Sequence, residues 1–236
     1  MYRHFFKRFL DIILSALALI ILSPVYLVLA ILVRAKLGSP VIFKQQRPGR
    51  IDKKTGKERI FTLYKFRSMT DKRDSKGNLL PDSERLTKFG KALRSTSLDE
   101  LPEIWNILKG DMSIVGPRPQ LVRDMVFMTQ EQRQRHIVRP GLTGLAQVNG
   151  RNAITWDEKL KFDQQYVSSI SFALDLTIFF QTIGKVLQQS DISEEGMDTG
   201  EDLGDALLKE GRIDTDEYFV KLNRAIMLLD GNKNRK

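Results

Sequence analysis

The chain has no cysteine and only two histidines among its 236 residues. Disulfides, zinc–thiolate sites and a cysteine nucleophile are excluded, as is a metal site built on several histidines. His4 precedes a long apolar run, so a Ser-His-Asp arrangement would have to work through His136. Two phosphate-binding signatures are also missing: no Gly-x-x-x-x-Gly-Lys-Ser/Thr loop and no Gly-x-Gly-x-x-Gly loop occurs. Tryptophan is scarce. Trp105 and Trp156 both fall on expected helices and form no basic–aromatic platform, so no nucleic acid partner is expected.

Positive charge is abundant but unevenly placed. The formal net charge is +9; residues 191–236 carry −5, which leaves +14 on residues 1–190. A basic body points to anionic lipid, phosphate or nucleotide as partner, although basic residues alone also make an ordinary solvated surface. The length suits one domain with appendages.

Ile12 to Val33 contains no charged residue, and about 20 such residues suffice to cross a bilayer. No small-x-small cleavage site follows the run, which argues against a cleaved signal peptide. Ser23-Pro24 interrupts it at the centre. Proline there removes a backbone donor, crowds the Ile20 carbonyl and costs about 3 kcal/mol in a helix interior. The Ser23 hydroxyl is expected to return to the Leu19 carbonyl and accentuate the bend. Arg3, Lys7 and Arg8 precede the run; Arg34, Lys36, Lys44 and Arg47 follow it. Basic residues favour the cytoplasmic side, and here both ends ask for it. A helix-break-helix that dips in and returns satisfies both, each limb of about 11 residues reaching half the hydrocarbon thickness. A kinked but ordinary span is the alternative.

Beyond the run, 41–46 and 59–66 read as the strands of a β-hairpin, and 71–83 as a loop. Helices are expected over 84–93, 98–108, 121–136, 156–167 and 172–187, with another at 215–229 in the acidic tail. Gly116-Pro-Arg-Pro119 reads as a rigid turn, Arg139-Pro-Gly-Leu142 as a type II turn and Asn149-Gly150 as a further turn. Phe172, Leu176, Phe179, Phe180, Ile183 and Leu187 recur at helical spacing, fitting either core packing or a helix in the membrane interface. The fold class is therefore α+β and mainly helical. It comprises a re-entrant anchor over 1–36, a domain over 37–190 with a small hairpin and amphipathic interfacial helices, and an acidic extension over 191–236.

Chemistry concentrates in Arg94-Ser-Thr-Ser-Leu-Asp-Glu-Leu-Pro-Glu-Ile-Trp-Asn-Ile-Leu108. Ser97 and Glu100 match a capping box, in which Asp99 would only favour the positive end of the helix dipole. The same placement would keep Asp99 ionised and nucleophilic beside backbone donors suited to phosphate oxygens, where an aspartate can form an acyl-phosphate. An anion approaching a diphosphate needs cations, for which Lys65, Arg67, Arg94 and Arg118 are candidates, with a magnesium ion bridging carboxylate and phosphate.

The stretches KRFLDIILSALALIILSP, QQRPG, YKFRSMT, SLDELPEIWNILKGDMSIVGPRP and RPGLTGLAQVNGRN together resemble the bacterial sugar transferases called small monotopic phosphoglycosyl transferases, over about residues 1–190. The resemblance implies transfer of a sugar 1-phosphate from a UDP-sugar to a polyprenyl phosphate at the cytoplasmic face of the bacterial inner membrane, with release of UMP. The implied donor is UDP-N,N'-diacetylbacillosamine or a related UDP-N-acetylhexosamine. Also implied are Mg²⁺, with Asp99 among its ligands, and a covalent phosphosugar–aspartate intermediate. Asp99 matches the nucleophile and Glu100 its partner. Lys65, Arg94, Arg118, Asp163 and Arg151 match substrate-binding positions, and Ser23-Pro24 the break of a re-entrant helix. A non-catalytic membrane scaffold binding anionic lipid is the competing reading; it predicts salt-sensitive liposome binding and no nucleotide chemistry.

Overall fold

A computed structural model describes residues 1–150, 154–188 and 201–233. After a π-helical turn at Tyr2–Phe6, α1 (Lys7–Ile21) and α2 (Ser23–Leu37) form a pair bent by 63°, too short singly but long and apolar enough together to reach into a bilayer. Pro24 leaves the Ile20 carbonyl without its helical amide donor, and the Ser23 hydroxyl donates to that oxygen at 2.8 Å. The acceptor is thus Ile20, not the expected Leu19. Most of the pair's apolar surface is exposed, including Ile13, Leu17, Ile20, Ile21, Leu27, Val28 and Ile31, as lipid-facing residues would be.

A polar stripe on α1 fixes this pair to the body. Asp11, 3 % exposed, accepts from the Ser113 hydroxyl and the Ile114 amide. Arg8 donates to the carbonyls of Ile107 and Leu108, and Lys7 pairs with Asp175. On α2, Leu29, Val33 and Leu37 join Phe66 and Leu93 in a common core.

The hairpin forms as expected. β1 (Ile42–Ile51) pairs antiparallel with β2 (Glu58–Phe66) in the register Phe43 to Lys65 and Gln45 to Leu63, with an irregularity between Pro48 and Ile51. The loop after it holds a short helix, α3 (Asp82–Arg85), and α4 (Lys88–Ser95) follows, shifted C-terminal to the expected 84–93. α5 (Glu103–Lys109) leads into β3 (Ser113–Val115), α6 (Val122–Met125), a 3₁₀ turn at Gln132–Ile137, and β4 (Gly141–Thr143), which pairs parallel with β3. The expected helix over 121–136 is thus two short turns. Five consecutive residues, Asp124 to Met128, are buried, which leaves no single polar face for one continuous helix.

α7 (Leu145–Val148), α8 (Trp156–Ser169) and α9 (Phe172–Gln188) complete the body. The Thr155 hydroxyl and the Glu158 carboxylate cap α8 reciprocally. On α9 the buried residues are Asp175 and Ile178, whereas Phe172, Leu176, Phe179, Phe180 and Ile183 are exposed. Its apolar stripe is therefore not core and suits a membrane interface. Leu187 lies outside the described side chains.

The acidic extension folds onto the body. α10 (Leu203–Lys209) and α11 (Thr215–Lys233) bring Leu203, Leu207 and Ala225 against Val122, Met125, Val126, Phe127 and Leu160. Asp202 and Asp205 pair with Arg123.

Candidate active site

Asp99 and Glu100 stand on a 3₁₀ turn, Leu98–Glu100, ahead of α5. The expected capping box is absent: Ser97 adopts φ 55° and caps nothing, and α5 proper begins after Pro102. Pro102 supplies no amide for a helix starting at Ser97, so the chain turns tightly instead. A non-glycine residue at positive φ stores strain, and such strain concentrates at functional sites. Leu98 and Leu101 on either side pack against the α2 core, and the Tyr26 hydroxyl donates to the Leu101 carbonyl at 2.5 Å. The acidic pair is thereby held directly beside α2.

Three elements deliver cations to this turn. Lys65, from the end of β2, lies 2.7 Å from Glu100 Oε1 and 3.2 Å from Glu103 Oε1. Arg118, from the Gly116–Pro119 turn, lies 2.7 Å from the same Glu100 oxygen. Arg94, near the end of α4, is a cationic neighbour of Asp99, and its Nε donates to the Ser68 hydroxyl at 2.9 Å. α4 can approach Ser68 this closely because residue 90 is glycine; a Cβ there would sit 1.9 Å from the Ser68 carbonyl oxygen. Asn106 joins α5 to the strand edge by accepting from the Tyr64 amide and donating to the Thr62 carbonyl.

The electrostatics separate the carboxylates. Burial, then the charge of Glu100, pushes Asp99 up to about 6, against the pull of Lys65, Arg94 and Arg118. Asp99 is thus less acidic than a helix N-terminus would make it, though still mostly ionised at neutral pH. Burial also opposes the charge of Glu100, but Arg118 and Lys65 outweigh it and hold that group far below the usual carboxylate range. Glu103 is pushed up to about 7, chiefly by burial. Among the described residues Asp99 makes no hydrogen bond or ion pair, so its carboxylate is available for chemistry.

Sequence reasoning missed three supporting residues. Glu103 shares Lys65, and its spacing of three from Glu100 was the available signal. Arg47, pulled down to about 10 by burial and by Arg118, donates to the Pro119 carbonyl at 3.0 Å. Arg135, 1 % exposed, donates to the Arg118 carbonyl at 2.6 Å and pairs with Asp163 at 2.7 Å. Asp163 therefore reaches the site through Arg135, not by direct contact with Asp99 or Glu100.

Arg67 does not join the site. Its guanidinium donates to the Met69 and Ser39 carbonyls and pairs with Asp71. His136 is buried against Glu58 at 3.2 Å. Arg151 lies outside the described residues.

For magnesium, no group of three acidic or histidine ligands occurs among the described residues. None is needed: Mg²⁺ is commonly held by one or two carboxylates together with substrate phosphates. Asp99, without a hydrogen bond or ion pair among the described residues, fits that donor set, as does the Glu100 oxygen that accepts from neither Lys65 nor Arg118.

Residues 2–189 match the family model described as bacterial sugar transferase. The chain is 50 % identical over 195 residues to an uncharacterized sugar transferase, EpsL, of Bacillus subtilis (strain 168), covering 83 % of this chain and 94 % of that one. It is 44 % identical over 190 residues to a UDP-glucose:undecaprenyl-phosphate glucose-1-phosphate transferase of Klebsiella pneumoniae, covering 76 % of this chain and 40 % of that one. It is 38 % identical over 194 residues to a UDP-N-acetylgalactosamine-undecaprenyl-phosphate N-acetylgalactosaminephosphotransferase of Aeromonas hydrophila, covering 78 % and 44 %. Against these last two relatives the chain spans less than half of their length. The acidic pair and its cations lie within the matched residues, and the chain belongs to the bacterial sugar transferase family.

Proposed function

We propose that this chain moves a sugar 1-phosphate from a UDP-sugar to undecaprenyl phosphate through an aspartyl-phosphosugar intermediate. The observation that carries the reading is Asp99: a carboxylate with no hydrogen bond or ion pair among the described residues, neighboured by the charges of Lys65, Arg94 and Arg118, on a turn whose flanking leucines pack against α2. A carboxylate oxygen of Asp99 attacks the sugar-bearing phosphorus. The phosphoanhydride bond breaks, and UMP departs with the bridging oxygen. An oxygen of the polyprenyl phosphate then attacks the same phosphorus, breaking the aspartyl bond and regenerating the carboxylate.

Glu100 stays ionised and pins Lys65 and Arg118, whose charges offset the repulsion between carboxylate and diphosphate. Mg²⁺, held by Asp99 and the free Glu100 oxygen, would supply further positive charge to the phosphate oxygens. The bent pair lets the lipid acceptor keep its tail in the bilayer while a soluble donor arrives from the cytoplasm; this is a monotopic arrangement at the bacterial inner membrane. Relatives are named for glucose and N-acetylgalactosamine, so we place the donor among UDP-hexoses and UDP-N-acetylhexosamines, including the bacillosamine donor.

The test is UMP release across a panel of UDP-sugars with a short polyprenyl phosphate and Mg²⁺. Asp99→Asn keeps size and removes the nucleophile; turnover should fall at least about a thousandfold. With donor alone, intact mass should show a phosphosugar adduct on the wild type and none on Asp99→Asn. Near-normal turnover by Asp99→Asn would overturn the covalent route, and no UMP release with any donor would favour a non-catalytic scaffold.

A further inference from the structure

A cavity of about 370 Å³ lies away from the acidic pair, between the head of α1 and the tip of the hairpin. Arg3, Lys7 and Arg8 line it from one side, Arg50 and Lys53 from the other, with Arg139 between. The acid among its lining residues, Asp11, is already engaged by Ser113 and Ile114. Lys7 is neutralised by Asp175, but Arg8 and Arg139 donate to the carbonyls of Ile107, Leu108 and Gly110 and so keep their full charge. Arg3, Arg50 and Lys53 make no ion pair or hydrogen bond among the described residues.

These like charges crowd one another. Burial, then Arg50 and Arg8, pull Arg139 below its ordinary value. Gly110, at φ 93°, lets the Arg8 guanidinium come close; a Cβ there would lie 3.1 Å from Arg8 Nη2. A smaller neighbouring cavity of about 130 Å³ shares Arg50 and Arg139 and adds Arg59, another cation without a partner among the described residues. Gathering unpaired cations in one concavity is unfavourable without a counter-anion.

The cavity's level relative to a bilayer follows from α1. Arg3, Lys7 and Arg8 stand at its head, and its exposed apolar face begins alongside them at Phe5, Phe6 and Phe9 and continues through Ile12 and Ile13. Tyr2 packs edge-on against Phe172, where the exposed face of α9 starts. The cations therefore sit at headgroup depth, where acyl chains could run down α1.

We propose that this cavity binds the phosphate headgroup of an anionic glycerophospholipid, as a second lipid site separate from the acidic pair at Asp99 and Glu100. Its guanidinium groups suit phosphate oxygens, and each basic residue near the surface adds attraction to anionic lipid. The inference does not rest on the transfer reaction.

The experiment is native mass spectrometry of the full chain in detergent, titrated separately with phosphatidylglycerol, phosphatidylcholine and inorganic phosphate. Wild type should retain one phosphatidylglycerol in preference to phosphatidylcholine. The double variant Arg50→Gln/Lys53→Gln, whose side chains make no hydrogen bond or ion pair among the described residues, should retain it about tenfold less. Its UMP release and its KM for polyprenyl phosphate should be unchanged. Equal retention of the two lipids, or equal retention by variant and wild type, overturns the proposal. So does retention of inorganic phosphate without phosphatidylglycerol, which would make the cavity a free-anion site. A raised KM for polyprenyl phosphate would assign the cavity to the acceptor and overturn its separateness.

Discussion

Asp99 and Glu100 are adjacent in the chain but titrate in opposite directions, because Lys65 and Arg118 both close on Glu100 and leave Asp99 with burial and a negative neighbour. If ionised Asp99 is the nucleophile, single-turnover UMP release should rise with pH to about 6 and level off above it. Glu100→Gln removes the negative neighbour, so that limb should move to lower pH even as the rate falls with loss of the Lys65 and Arg118 anchor. Glu103→Gln, by contrast, should leave the limb near 6 and remove any ionisation near 7; a limb that moved with Glu103 would reassign it. His136 titrates for stability instead. Burial first, and Arg135 and Arg133 next, bring it down to about 4, against the hydrogen bond with Glu58. A lowered folded-state value means stability is complete above the unfolded value of about 6.5 and is lost as pH falls toward 4. His136→Asn should flatten the melting temperature between those pH values relative to wild type. The acidic pair was legible from sequence because both residues fall in one short motif. The role of His136 was not, since burial beside Glu58 depends on a contact 78 residues away along the chain.

Regular elements were readable where periodicity was strong. The hairpin, α8 and α9 fall where alternation and 3.6-residue spacing place them. What periodicity could not say is which side of α9 faces the body: Asp175, with Tyr2, Lys7 and Tyr166 around it, marks the inner side, and the phenylalanines are outside. The Gly116–Pro119 turn was also readable, but not its anchorage. Two arginines, buried Arg135 and half-buried Arg47, hold consecutive carbonyls, Arg135 that of Arg118 and Arg47 that of Pro119. Both come from distant segments, and Asp163 neutralises the first. Arg135→Lys keeps the charge and loses the planar fork, so kcat should fall by about 10- to 100-fold through misplacement of Arg118. In an Arg118→Ala background the same substitution should add little; an additive loss would show that Arg135 acts elsewhere. At the other end of the molecule, the 63° bend rests on Ser23 and Pro24. Absence of cysteine makes its topology directly measurable: single cysteines at positions 3 and 36 should both label from the cytoplasmic side, and labelling from opposite sides would show a kinked span instead.

At the scale of the whole molecule, the +14 of residues 1–190 meets the −5 of residues 191–236, and part of that opposition is spent inside the fold. Arg123 holds Asp202 and Asp205, and Asp157 holds Arg212. Composition marked residues 191–236 as an acidic extension, and the contacts of α10 and α11 put its apolar residues into the same core as α6 and α8. That core lies behind the turn carrying Arg118, since α6 follows Pro119 directly, and Asp124 accepts both from Leu121 and, across to the extension, from the Leu203 amide. The extension should therefore behave as structure, not as a detachable tail. Leu207→Ala should cost about 2 kcal/mol and lower the melting temperature by about 5 °C, with little change in UMP release well below that temperature. Phe219→Ser, on the exposed side of α11, should leave the melting temperature unchanged within about 1 °C. A Leu207→Ala protein as stable as wild type would mean that the two C-terminal helices rest on the body without sharing its core.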